Sequence, residues 1–246
     1  MSGAAVVVAG LGQPAWSSVP GGVVAQAQRP LFEWDWVVRN GGRIWDATLE
    51  HLYLTGMAVG IGLAASLLLA VVALRYRRLY APIIAVGGLL YTLPSLALFA
   101  LLLPLVGISV TNAVIALTTY TILILVRNIV TGIDGVPAEV VEAAQGMGYQ
   151  RRRLFLEIEL PLALPVIIAG LRIASVTVIG LVTVTALLGL GGLGSFILTG
   201  FRVLPPFPTQ IVVGTVLSVA LAVLVDLLLL ALEKALTPWS RRKATV

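Results

Sequence analysis

Long apolar runs, each closed by charges or turn-forming residues, set the pattern of this chain. Four of them, Leu52 to Leu74, Ala81 to Leu103, Ile108 to Val126 and Ile211 to Leu232, hold between them a single charged residue, Asp226. Each has about the 20 consecutive apolar residues that a helix needs to cross a bilayer's hydrocarbon core. A fifth, Leu162 to Leu188, is interrupted by Arg172 and by Ser and Thr, whose hydroxyls can bond back to helix carbonyls. The pattern predicts an all-α integral membrane protein of about five transmembrane helices. Before the first run, Pro30 to Glu50 mixes aromatic and acidic residues (Leu31-Phe32-Glu33-Trp34-Asp35-Trp36), which predicts an amphipathic helix lying at the headgroup level. Three parts follow: an N-terminal tail with an interfacial helix (1–50), a transmembrane domain (51–233) whose long loop spans about 128–161, and a basic tail (234–246).

Composition agrees. The chain is 59% hydrophobic and 11% charged, against roughly 45–50% and about 25% in soluble domains. It has no cysteine, so disulfides, thiolate metal sites and Cys nucleophiles are excluded. The net charge of +5 is explained by where the cations lie. Arg75, Arg77, Arg78, Arg127, Arg151, Arg152, Arg153, Lys234, Arg241, Arg242 and Lys243 fall on one side of the predicted spans; Arg29, Arg39, Arg43 and Arg202 fall on the other, beside Glu33, Asp35, Asp46 and Glu50. Short cytoplasmic loops carry the Lys/Arg excess, which predicts the N-terminus outside and the C-terminus inside, and no nucleic-acid partner. The first 28 residues carry no charge. Ala4 to Leu11 followed by Ala25-Gln26-Ala27 is leader-like but lacks a basic start, so an uncleaved tail is expected.

The loop between the third and fourth runs holds the densest information. Pro137-Ala-Glu-Val-Val-Glu-Ala-Ala-Gln-Gly-Met-Gly predicts a short helix from about Pro137, with Glu139 and Glu142 near its positive end, stopped at Gly146 to Gly148. Val140, Ala143 and Ala144 give it a small apolar face for docking. Arg151 to Ile158 predicts a second short helix, and Pro161 and Pro165 a turn into the membrane. Glu142-Ala143-Ala144, then Gly148, then Ile158-Glu159-Leu160-Pro161 resembles the EAA signature of permease subunits in binding-protein-dependent ABC importers. Arg127-Asn128, Thr131-Gly132-Ile133, Glu159 to Pro165 and Gly189 to Gly194 look like the glycine betaine, carnitine and choline branch, over roughly Trp45 to Leu232. The resemblance implies a MetI-like ABC importer permease fold and import of a quaternary-amine osmoprotectant. It implies that Glu142, Ala143, Ala144, Gly146 and Gly148 couple to a separate ATP-binding subunit, which carries the ATP and Mg. It also implies a separate solute-binding protein, a second permease copy or paralogue, and the cytoplasmic membrane of a prokaryote. The alternatives are the same architecture importing an amino acid or other small solute, and a channel or structural membrane protein without an ATPase partner.

The remaining motifs are weighed against this reading. Gly189 to Gly194 spells G-x-G-x-x-G, but no strand precedes it, so a break and close turn in buried backbone is expected, not a nucleotide site. The chain has no G-x-x-x-x-G-K-[ST], so it is not itself an ATPase or other enzyme. His51, the lone histidine, borders the first span; interface anchoring is expected, with no metal site and no cofactor on this chain. Arg172 and Asp226 lie at matching depth, roughly 12–15 Å into their spans, and are expected to form an intramembrane ion pair that fixes the last two spans. Gly56 and Gly60 form a small-xxx-small face for close helix packing. Tyr91-Thr92-Leu93-Pro94-Ser95 breaks the second span, with a freed carbonyl re-bonded by Ser or Thr; Thr92, Pro94 and Ser95 are transport-pathway candidates.

Overall fold

The computed structural model describes residue 30 and residues 32–238, whose regular elements are all helical. The leader-like N-terminal stretch and the basic cluster Arg241 to Lys243 lie outside the described residues.

A short helix α1 (Trp34–Arg39) leads into α2 (Gly41–Arg75), 35 residues without a break. The helix expected from Pro30 to Glu50 is therefore divided, with α1 on its own and Gly41 to Glu50 continuous with the first membrane-length helix. The reason is packing: Ala47 is buried in a cluster with Leu193, Phe196 and Leu221, which pulls this part of the chain into the helical body. At about 1.5 Å per residue α2 is roughly 52 Å long, well beyond the ~30 Å hydrocarbon thickness, so it projects from the apolar layer.

The second predicted span is not one rod. It divides into α3 (Tyr80–Thr92) and α4 (Ser95–Val106), bent by 98°. Pro94 has no N–H to continue the ladder and forces its predecessor out of helical space. Leu93 (ψ 132°) and Pro94 (ψ 134°) are accordingly extended. Counting this bent pair, five segments are long and apolar enough to cross a membrane.

Helix α5 (Val110–Asp134) begins where the Ser109 hydroxyl accepts a 3.2 Å hydrogen bond from the Asn112 N–H, and it forms the hub. It packs against α2 on one side and the long fourth segment on the other, with α3 and α4 also on it. The loop contributes α6 (Ala138–Gly146) and α7 (Arg151–Leu154). A π-helical turn, Phe155–Glu159, then feeds α8 (Leu160–Val182) and a 3-10 extension, Thr183–Leu188. The turn expected at Pro161 and Pro165 is absent. Pro161 sits in the first turn of α8, where a missing N–H costs little, and the π turn before it absorbs the mismatch. Asn128 to Asp134 belong to α5, so the loop is shorter than expected.

Beyond the glycine turn lies a helix the sequence reading omitted, α9 (Gly194–Arg202), followed by α10 (Pro208–Leu236), on which α9 packs. Trp36 stands edge-on to Phe196 and Phe207, at 5.8 and 5.7 Å, and closes this end.

The small-residue stripe of α2 differs from the expected one. Gly56 and Gly60 are exposed, with nothing within 4 Å of where a Cβ would stand. The buried stripe is Ala58, Gly62, Ser66 and Ala70, spaced by four, with Ala73 beyond. That spacing keeps one face toward α5, where Thr118 Oγ1 donates to the Ala58 carbonyl at 3.3 Å.

Candidate functional site

Helix α6 stands between the end of α5 and α7, and its geometry follows from its sequence. Its last turn closes through Met147 N–H to Ala143 O (3.1 Å), Gly148 N–H to Gln145 O (2.9 Å) and Tyr149 N–H to Ala144 O (3.1 Å). Gly148 has φ +85°, the left-handed position that ends a helix and that glycine adopts without penalty. Glu142, Ala143, Gly146 and Gly148 are exposed. Ala144 is not: it is 1% exposed and seats α6 on the body of the protein. The outward apolar face is therefore Val140, Ala143 and Met147, not Val140, Ala143 and Ala144. Met147, at 70% exposed, was missed. Its spacing of seven from Val140 was the available signal.

The surroundings of α6 are basic and braced. Arg77, just after α2, forks onto Asp134 at the end of α5 (2.7 and 2.6 Å). Arg153 bonds Glu157 at 3.0 and 2.9 Å and lies 4.7 Å over the Tyr149 ring.

Between α8 and α10, Arg172 and Asp226 meet through two parallel bonds, Nε to Oδ1 at 2.8 Å and Nη2 to Oδ2 at 2.9 Å. Glu233, two turns further along α10, comes within 3.6 Å of the same guanidinium. Sequence reading had placed Glu233 at the edge of the transmembrane part; only its spacing of seven from Asp226 placed both carboxylates on one helix face.

At the α3–α4 break, Thr92 Oγ1 donates to the Leu89 carbonyl at 2.7 Å. That is the re-bonding by a local Ser or Thr expected at the break, and the Leu93 carbonyl accepts in addition from the Tyr120 hydroxyl of α5. Thr92 and Pro94 are exposed and Ser95 half-buried. Below, Asn112 Nδ2 donates to the carbonyls of Phe99 (3.3 Å) and Gly107 (3.0 Å), holding α4 against α5. The break, the ion pair and α6 occupy three separate places.

At the far end the glycine turn grips α2. Gly189 (φ +71°) and Gly192 (φ +77°) reverse the chain, and the Gly192 N–H donates to Glu50 Oε2 at 2.8 Å. His51 is not an interface anchor: it is fully buried, with Nε2 3.0 Å from the Ile179 carbonyl of α8. Being next to Glu50, it turns inward while Glu50 takes the turn.

The comparisons with known proteins bear on this arrangement. The family model described as "binding-protein-dependent transport system inner membrane component" matches residues 56–238. The chain belongs to this family. The choline transport system permease protein OpuBB of Bacillus subtilis is 37% identical over 199 residues, covering 81% of this chain and 91% of the relative. The glycine betaine/carnitine/choline transport system permease protein OpuCB of Bacillus subtilis is 35% identical, with the same coverage. The osmoprotectant import permease protein OsmW of Salmonella typhimurium is 36% identical over 82% of this chain and 96% of the relative. Among solved structures, the permease fold matches a chain of an amino acid ABC transporter with TM-score 0.71 at 18% identity, over 82% of this chain and 98% of that one. It also matches a chain of the MetNI methionine ABC transporter in an inward-facing conformation, with TM-score 0.66 at 22% identity, over 82% and 96%. This permease is thus an all-α, multi-pass membrane subunit of a binding-protein-dependent ABC transport system, with a MetI-like fold.

Proposed function

We propose that the permease carries a quaternary-amine osmoprotectant of the glycine betaine, carnitine or choline type into a prokaryotic cell across the cytoplasmic membrane. The observation that carries this reading is the run of relatives near 35–37% identity, over four-fifths of the chain, each of which is a permease for these solutes or for osmoprotectants. Its N-terminus lies outside and its C-terminus inside, so α6 faces the cytoplasm. There α6 docks on a separate ATP-binding subunit, which holds ATP and Mg. Glu142 and the exposed Val140, Ala143 and Met147 supply the contact, Gly146 leaves room for close approach, and Gly148 sets the direction of the exit. Ala144 acts from behind, by seating the helix.

A second copy or a paralogue completes the pathway, and a solute-binding protein delivers the cargo. Thr92, Pro94 and Ser95 border that pathway, because the α3–α4 break leaves polar groups on an exposed face that the second copy encloses. The Arg172–Asp226 pair, with Glu233, fixes α8 against α10. Quaternary amines are recognised by aromatic cages. The chain's five Trp lie mostly outside the predicted spans, which supports solute selectivity residing mainly with the binding protein.

The test is co-purification of the tagged chain from its native membrane, followed by solute uptake in proteoliposomes with the recovered partners. Recovery of an ATP-binding subunit, lost in Glu142→Ala and Gly148→Ala, with ATP-driven uptake of glycine betaine or choline, is expected. Recovery of the chain alone removes the coupling reading. Uptake of an amino acid but no quaternary amine removes the solute class while leaving the coupling intact.

A further inference from the structure

Behind α6, on the side away from its exposed face, lies an open cavity of about 800 Å³ lined by the end of α2, the end of α5, α6 and α7. Its walls are of two kinds. Val71, Leu74 and Phe155 form an apolar side that continues the last turns of the first span. Arg75, Arg77, Arg151 and Arg152 form a cationic side, opposed by one carboxylate among the lining residues, that of Glu159. Arg77 is already neutralised by Asp134. Arg75, Arg151 and Arg152 make no ion pair among the described residues, and neither the Gln145 amide nor the Tyr149 hydroxyl, which line the same space, makes a hydrogen bond there.

Three guanidiniums without a carboxylate partner around one cavity, Arg75 resting only over the Tyr76 ring at 5.7 Å, repel one another, and that arrangement is relieved by a multivalent oxyanion. A guanidinium binds phosphate oxygens in a two-pronged geometry that matches their spacing. The apolar wall decides which phosphate. Inorganic phosphate gains nothing from Val71, Leu74 and Phe155, whereas a phospholipid places its phosphate at the cations and its glycerol and first acyl carbons along that wall. The position fits as well, since Arg75 closes the apolar run of α2 at the level where a span meets headgroups. Basic pockets between spans at this level take anionic lipid headgroups. We infer that this cavity is a binding site for an anionic phospholipid, held by Arg75, Arg151 and Arg152 behind the coupling helix. A lipid there links the α2 end to α6 and α7, so its occupancy sets how firmly α6 is seated. The site is independent of the solute carried.

The experiment uses the full transporter complex in mild detergent. Phosphatidylglycerol and phosphatidylcholine of identical acyl chains are titrated in, and retained lipid is read by native mass spectrometry. Phosphatidylglycerol is expected to be retained well above phosphatidylcholine. Each arginine removed is expected to weaken retention about fivefold, so Arg151→Gln with Arg152→Gln loses roughly 25-fold. Arg39→Gln, at the far end, is expected to leave it unchanged. Leu74→Trp keeps every charge but crowds the apolar wall and is expected to lower retention while the complex still assembles, as size exclusion on the same preparation reads. Equal retention of the two lipids, retention unchanged in the arginine pair or in Leu74→Trp, or displacement of the lipid by millimolar inorganic phosphate, which would make this a soluble-anion site, each overturns the inference.

Discussion

The grip of Glu50 on the glycine turn is testable in detail, because two of its parts occupy one space. The Gly192 N–H, buried in the turn, donates to Glu50 Oε2 at 2.8 Å. At Gly191 an added Cβ would overlap that carboxylate, and the three nearest heavy atoms to it all belong to Glu50. Gly191 is not in the left-handed region, so alanine there is opposed by the carboxylate and not by its own backbone. Glu50→Ala strips a buried N–H of its partner, at a cost of about 1–3 kcal/mol. Gly191→Ala expels the carboxylate and loses the same bond, with a similar cost of about 1–2 kcal/mol. In the Glu50→Ala background the obstacle is gone, so Gly191→Ala adds little. The double variant therefore matches Glu50→Ala alone, with a coupling of about 1–2 kcal/mol, large for a pair in contact. Apparent melting temperatures of the detergent-solubilised complex are the readout. About 2–4 °C per kcal/mol is expected for a chain of this size, so Glu50→Ala falls by roughly 2–12 °C and Gly191→Ala by roughly 2–8 °C. Strict additivity of the two substitutions would refute the shared-space argument, and an unchanged melting temperature in Glu50→Ala would refute the grip itself.

Three further outcomes are expected. Tyr120→Phe leaves the Leu93 carbonyl without its donor at the α3–α4 break, so stability falls by about 1–2 kcal/mol and uptake falls with it; melting and uptake assays on the same preparation check this. Asp226→Asn removes the acceptor charge from the paired Arg172 and is expected to impair assembly and transport, whereas normal assembly by size exclusion with normal uptake would dismiss the pair as unimportant. Gly194→Ala sets a Cβ against the Thr183 backbone carbonyl, which cannot turn aside as a side chain can, so loss of folded protein is expected, and wild-type yield and melting would contradict the close approach.

Much of the molecule could be read from the chain because its solvent is a bilayer, where apolar run length counts directly. Five runs became five membrane-length segments, the short helix at Ala138 to Gly146 appeared within a residue of its expected start, and the EAA pattern pointed to the family that the comparisons established. Helix ends set by glycine were equally legible, because a left-handed φ at Gly148 or Gly189 is a property of one residue. The meeting of Arg172 with Asp226 was also within reach, since charge in an apolar span demands a partner and only these two stood at matching depth.

What composition and local preference leave open is decided by which faces meet. Hydropathy counts Ala81 to Leu103 as one span, but Pro94 breaks it, with the Leu93 carbonyl held by Tyr120 from another helix, and the two halves are bent by 98°. Small residues at Gly56 and Gly60 are indistinguishable in the sequence from those at Ala58 and Gly62, and only the rotation of α2 about its axis chose the second set. The same rotation buried His51 beside α8 and left Glu50 free to take the Gly192 amide. Ala143 and Ala144 are identical neighbours, yet about 100° of helical turn sends one outward and the other against the protein body. A sequence states what each residue prefers; the direction in which it points depends on contacts made by residues far away in the chain, and those exist only once the helices have packed.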